Sequence, residues 1–189
     1  MPLILEGIVT TLNEDQSPNI SPMGPVVDRS FSQLSLKPFK TSQTYANLNR
    51  TRQGVFHVTD NVEMLARAAV NQLPTPELIP ATAIAGVVLA DACRWFEFKV
   101  KHWDDQPERV CVECDIVNQG RLRDFFGFNR AKHAVVEAAI LATRIGIIPD
   151  EQILGEFARL QVLVDKTGGA QEAQAFQFLV DYVNRKVVR

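Results

Sequence analysis

Trp95-Phe96-Glu97-Phe98-Lys99-Val100-Lys101-His102-Trp103 alternates apolar and charged side chains with a period of two, the signature of a half-buried β-strand. Phe96, Phe98 and Val100 turn to one face, and Glu97, Lys99 and Lys101 to the other. Asp104-Asp105-Gln106-Pro107 has the chemistry of a turn, and Val110, Val112, Cys114 and Ile116 return at the same spacing, which makes a hairpin. This hairpin seeds an antiparallel sheet.

Upstream, Leu3–Thr11 is rich in β-branched residues, the polar loop 13–18 reverses the chain, and Asn19–Val27 reads as the partner strand. Phe31–Lys37 alternates and stops at Pro38, while Gly54–Thr59 and Gly86–Leu89 are short strand candidates on either side of a proline-broken stretch at Pro74, Pro76 and Pro80. Thr41–Arg50 reads as a helical turn opened by Thr41 or Ser42, and Asp60 with Glu63 forms a capping box for a helix over about 61–71.

After Phe128 the period changes to that of helices. Residues 131–146 are apolar almost all round, with Arg130, Glu137 and Arg144 sharing one stripe. A second helix opens at Pro149-Asp150, carries Ile153, Phe157, Leu160 and Val164, and ends at Gly168-Gly169; a third carries Ala173, Phe176, Val180, Val183 and Val187. The pattern therefore predicts an α+β chain, with six or seven antiparallel strands closed into a small barrel over 1–125 and about three packed helices over 126–189.

Composition narrows the function. The 189 residues are 46% hydrophobic and 22% charged, with 20 Lys+Arg against 22 Asp+Glu, so the chain can bury a core and is not a disordered regulator. The near-neutral charge and the short Trp95/Lys99/Lys101/Trp103 face argue against a nucleic-acid binder. The longest apolar run, Ala83–Ala90, falls short of the roughly 18–20 residues of a membrane span. Three cysteines make no disulfide framework, and the N-terminal residues have no basic start, so a cytoplasmic protein is expected.

Common catalytic motifs are missing: there is no dinucleotide fingerprint, P-loop or nucleophile elbow. Cys111 and Cys114 have zinc-knuckle spacing but belong to a strand, where residues three apart point to opposite faces, and no second pair completes a metal site. His57 sits in a strand of buried type, and His133 stands one helical turn before Glu137, which reads as a surface pair before it reads as half a metal site. No metal is expected.

Two segments carry chemistry. Asn19-Ile20-Ser21-Pro22-Met23-Gly24-Pro25 is strand-like but broken by two prolines and a glycine; it reads either as an edge strand with a bulge or as a strand that bonds a flat heterocycle. Lys37-Pro38-Phe39-Lys40-Thr41-Ser42-Gln43-Thr44-Tyr45-Ala46-Asn47-Leu48 gathers two ammonium groups, hydroxyls, an amide and a helix start. It reads either as a polar loop with a routine cap or as a cradle for a phosphate.

Taken in order, these segments resemble the FMN-binding split-barrel superfamily, whose flavin reductase branch carries an Asn-x-x-Pro strand, a Lys-x-Thr-x-x-Asn-hydrophobic segment and a Gly-x-Phe strand. Here the pattern stands as Asn19-Ile20-Ser21-Pro22, then Lys37, Ser42, Thr44 and Asn47-Leu48, then Gly54-Val55-Phe56. More specifically, Ser-Pro-Met-Gly, Pro-Phe-Lys, Thr-Tyr-x-Asn-Leu, Asn-Arg-Ala and Lys-Thr-Gly-Gly look like the split-barrel family catalogued as domain of unknown function 447.

The resemblance implies a homodimeric split barrel with FMN near the subunit interface. Asn19, Ile20, Ser21, Pro22 and Met23 would line the isoalloxazine and ribityl chain, largely through backbone, and Lys37, Ser42, Thr44 and Asn47 would hold the phosphate. Gln43 departs from the family pattern, which often has Asp there. A flavin-dependent oxidoreductase acting on a small molecule, with NAD(P)H as a possible donor, is then expected. A non-catalytic flavin-sensing module, or a barrel binding a deazaflavin or pyridoxal phosphate, remains an alternative. His57, His133 and Arg130 are the first polar residues to test near a cavity.

Overall fold

The computed structural model describes residues 3–106 and 110–187, so the expected turn residue Pro107 lies outside the described residues. The chain divides into two compact units, one of residues 1–59 and 76–125, the other of residues 60–75 and 126–189. Residues 60–75, read from the sequence as part of the barrel segment, group instead with the C-terminal helices.

The first unit holds β1 (Leu3–Ile4), β2 (Gly7–Leu12), β3 (Pro18–Met23), β4 (Val26–Val27), β5 (Gln33–Leu36), α1 (Gln43–Thr51), β6 (Gln53–Val58), β7 (Leu78–Pro80), β8 (Val87–Leu89), β9 (Arg94–Asp104) and β10 (Cys111–Arg121). Eight strands form one curled antiparallel sheet in the order β1-β4-β5-β10-β9-β6-β2-β3, and β7 with β8 form a separate ribbon. The six or seven strands expected become, among the described residues, eight plus two: the segment 3–11 divides into β1 and β2, Gly24-Pro25 splits the segment 19–27 into β3 and β4, and Leu78–Pro80 adds β7. The chain leaves β2 after β3 and re-pairs as β4 with β1 and β5.

The β9–β10 hairpin is the spine of this sheet, and its inward residues Phe96, Phe98, Val112 and Cys114 pack with Val9, Leu34, Leu36, Leu48 and Phe56. Truncating any of these phenylalanines to alanine would cost about 3–5 kcal/mol. Burial pushes the Cys114 thiol above the usual range, so it is an inert core residue.

Glu97 departs from the expected solvent face: it is completely buried. Its carboxyl accepts from Thr82 N at 2.9 Å, Ala83 N at 2.6 Å and Asn118 Nδ2 at 3.2 Å, so it anchors the segment between β7 and β8 over the sheet's outer face. Period-two alternation separates the faces of a strand, and a loop folding back decides which charged face is covered.

The second unit holds α2 (Val62–Ala69), α3 (Arg130–Ala142), α4 (Asp150–Thr167) and α5 (Ala170–Val187). Asn61, not Asp60, caps α2 by accepting from Met64 N at 3.0 Å, while Asp60 accepts from Phe126 N at 2.7 Å. The alanine face of α3, including Ala131, Ala134, Ala138 and Ala142, lets Val62, Leu65, Phe157 and Phe176 approach closely. Lys132 reaches Glu172 at 2.7 Å. Burial works to raise the Glu172 carboxyl, but the Lys132 bond and the Gly169 N–H outweigh it and hold the group below its ordinary range. Among the described residues, no helix is long and apolar enough to cross a membrane.

Candidate functional site

The site begins with the tight β2–β3 connection. Asp15 accepts from Ser17 N at 2.9 Å, Gln16 takes a left-handed φ of 67°, and Asn13 N donates to Ser17 O at 2.9 Å. That last bond fixes the ladder: in an antiparallel pair, hydrogen-bonded and non-bonded residues alternate. Asn19, Ser21 and Met23 therefore turn their peptide groups to β2, and Pro18, Ile20 and Pro22 turn theirs to the open side.

Because β3 is the last strand of the sheet, that open side offers one donor, Ile20 N–H, among the carbonyls of Pro18, Ile20 and Pro22. The prolines stand where an N–H would have no strand partner. No register shift interrupts β2–β3, so the strand is an edge without the bulge considered from sequence.

Helix α1 is bound to this edge. Ser42 caps it, accepting from Tyr45 N at 3.1 Å and donating to Phe39 O at 2.8 Å. The N–H groups of Gln43 and Thr44 are the helix's first two, which have no intrahelical acceptor. Asn19 Nδ2 donates to Thr44 Oγ1 at 3.0 Å and to Thr11 Oγ1 at 3.1 Å. Asn47 Nδ2 donates to Thr11 Oγ1 at 3.0 Å and Asn13 Oδ1 at 2.9 Å, and Gln43 Nε2 donates to Asn47 Oδ1 at 2.9 Å.

The residues named from sequence thus fall into three groups. Asn19, Thr44 and Asn47 come together, but Thr44 and Asn47 are each only 1% exposed and hold α1 to the hairpin. Ile20, Ser21, Pro22 and Met23 line the open strand, half-buried, with Met23 against the barrel core. Lys37 is exposed after β5. Lys40 is drawn aside to Asp105, donating to its carbonyl at 2.8 Å.

Sequence reasoning missed Thr11 and Asn13, whose part in the network depends on the hairpin register. His57 is not a site residue. It is completely buried, its Nδ1 donates to Ile8 O at 3.1 Å, and its Nε2 accepts from Leu89 N at 3.1 Å, so burial pushes its pKa down to about 4. His133 and Arg130 are exposed on α3, where His133 stands edge-on to Phe128.

The sequence profile described as "Protein of unknown function (DUF447) N-terminal domain" matches residues 5–123, and that of its C-terminal companion matches residues 129–181. The chain belongs to the DUF447 family. No curated protein matches it. Among solved structures, this DUF447 chain is similar to an FMN-bound DUF447 protein of Methanosarcina mazei, with a TM-score of 0.82 at 22% identity over 96% of each chain. Its likeness to the flavoredoxin of Desulfovibrio vulgaris has a TM-score of 0.52 at 14% identity, over 62% of this chain and 69% of the other. Component B of nitrilotriacetate monooxygenase from Bacillus cereus gives 0.52 at 16%, over 64% and 70%. The fold of this DUF447 member is therefore a flavin reductase-like split barrel.

Proposed function

We propose that this chain binds FMN along the open edge of β3 and works as a flavin-dependent oxidoreductase on a small molecule. The observation that carries the reading is the fit of the edge to a flavin. One outward N–H flanked by carbonyls complements the mixed acceptors and donor of the heterocycle's polar rim. The α1 start lies beside Asn19, at the same strand's other end. The FMN-bound state of the Methanosarcina relative supports the same cofactor.

In this reading Ile20, with the backbone of Ser21 and Pro22, holds the ring rim, and Met23 packs against the ring. Asn19 orients the helix start. The N–H groups of Gln43 and Thr44, set by the Ser42 cap, meet the phosphate together with the helix dipole. Lys37 adds a charge from the surface, and Thr44 and Asn47 act as positioning residues. When bound, FMN supplies hydride and single-electron chemistry. The unit of residues 1–59 and 76–125 carries the cofactor, and residues 60–75 with 126–189 form the companion domain.

A homodimer belongs to the same proposal. Phe126 and Phe128 stand 79% and 95% exposed, and solvent-facing aromatics this close in sequence suit a partner surface. NAD(P)H is the proposed electron donor, by analogy with the flavin reductase fold.

The test is the visible spectrum of the purified protein before and after adding FMN, with released cofactor identified by mass, followed by NAD(P)H oxidation. Flavin bands near one per chain with turnover are expected. Bands without turnover would leave a binding module, and no bands would overturn the reading.

A further inference from the structure

At the end of the sheet away from α1, the register brings cationic side chains together. Met23 lies opposite Gly7, Ile8 opposite His57, Val58 opposite Arg94, and Arg94 opposite Arg121. Asn19 and α1 belong to the other end, where Thr11 pairs with Asn19 and Gln53 with Lys99.

Arg94 and Arg121 are thus direct cross-strand partners on the curled face that carries Phe96. Like charges placed directly opposite on paired strands are unfavourable. Arg123 follows two residues later, and a cleft of about 470 Å3 opens between Arg94, Arg121, Arg123, Asp124, Phe125 and Val58.

The surroundings hold these guanidinium groups in place. Arg94 lies 4.8 Å from the ring of Phe96 and 5.3 Å from that of Phe31, and the two rings stack at 4.7 Å. Phe31 takes a strained φ of 53°, unusual for an aromatic residue. Its loop is fixed by the Asp28 carboxylate, which accepts from Ser32 N and Gln33 N, each at 3.0 Å.

Arg123 is oriented by Asp91 at 3.1 Å, and Arg121 pairs with Asp124 through side chains 64% and 81% exposed. An exposed ion pair contributes little and exchanges readily for a better anion. Three arginines against Asp124 in the lining and Asp91 on Arg123 leave one net positive charge at the cleft, where bidentate arginine contacts favour phosphate and carboxylate.

We propose that the Arg94/Arg121/Arg123 cleft binds a multiply charged oxyanion, the phosphate or paired carboxylates of a small molecule, at a position separate from α1. Half-exposed Phe125 at the rim offers an apolar face to the rest of that molecule. That the ligand is a reactant of the flavin rests on the reading above; the anion binding itself does not.

Pyrophosphate titrated calorimetrically into the protein as purified, and again after FMN saturation, tests the cleft. Saturable binding is expected in both states, and in the FMN-saturated protein it should be weakened roughly tenfold or more by Arg121→Gln. Without added anion, Arg121→Gln should melt no lower than wild type, because it relieves the opposed charges. Absence of saturable binding, full binding by Arg121→Gln, or displacement of pyrophosphate by FMN would overturn the proposal. Retained pyrophosphate binding in a protein that takes up no flavin would support the cleft while defeating the flavin reading.

Discussion

Asn19 Nδ2 donates to Thr44 Oγ1 at 3.0 Å, tying the start of an edge strand to the first turn of a helix 25 residues later. The bond fixes where the helix N-terminus points relative to the open backbone of β3. A flavin long enough to touch both would therefore meet a preformed site.

Replacing Ile20 by proline removes the outward donor of β3 without touching the ladder to β2. Proline already stands at positions 18 and 22 of the same strand, on the same side. Near-wild-type far-UV circular dichroism is expected, with FMN affinity down roughly three- to tenfold for one lost hydrogen bond. Unchanged affinity in a fluorescence-quenching titration would show that the edge does not hold the ring.

Asn47→Ala leaves Thr11, Asn13 and Gln43 without a shared buried partner. A loss of about 1–3 kcal/mol in urea unfolding is expected, together with weaker FMN binding as α1 loosens. If Asn47 served the phosphate alone, affinity would fall while the unfolding midpoint stayed in place.

His57 makes the barrel acid-sensitive. Its pKa is about 4 in the folded chain against an ordinary 6.5, so the unfolded state binds the extra proton between these values. Its contribution is complete above pH 6.5, declines as the pH falls, and is lost near pH 4, amounting to about 3 kcal/mol. Denaturant midpoints measured from pH 7.5 to 4 should fall accordingly, and His57→Gln, less stable at pH 7.5, should flatten this part of the profile.

Phe126→Ser with Phe128→Ser should convert a dimer to a monomer in sedimentation velocity, at little cost to helicity, since both rings are largely solvent-exposed. A wild-type protein that sediments as a monomer would remove the dimer from the proposal.

Much of the fold was legible because period and punctuation are local. The β9–β10 alternation, the Ser42 cap and the glycine pair closing α4 all lie within a few residues of what they specify. The helix after Asp60 was legible in place but not in its cap, since Asn61 and Asp60 are equally good candidates and only a distant partner, Phe126 N, decides between them.

The candidate strand and helix start were equally readable, from Pro22, Gly24 and Pro25 interrupting a strand-like stretch and a cluster of polar residues before Leu48. Their roles were not. Thr44 and Asn47 read as phosphate ligands; the structure shows Thr44 Oγ1 accepting from Asn19 and the Asn47 amide bonded to Thr11, Asn13 and Gln43. Glu97 read as part of the charged strand face but is buried under the segment 82–83, whereas His57, read in a strand of buried type, is buried as expected and bonds Leu89 N.

By itself the sequence determined most of the strand and helix segments, because backbone conformation and facial periodicity depend on near neighbours. Only the tertiary structure decided that Arg94 faces Arg121, that Asn19 reaches Thr44, and that residues 60–75 join the C-terminal helices. Those pairings depend on strand register and chain return, which are set by the burial of a whole core and by no single segment.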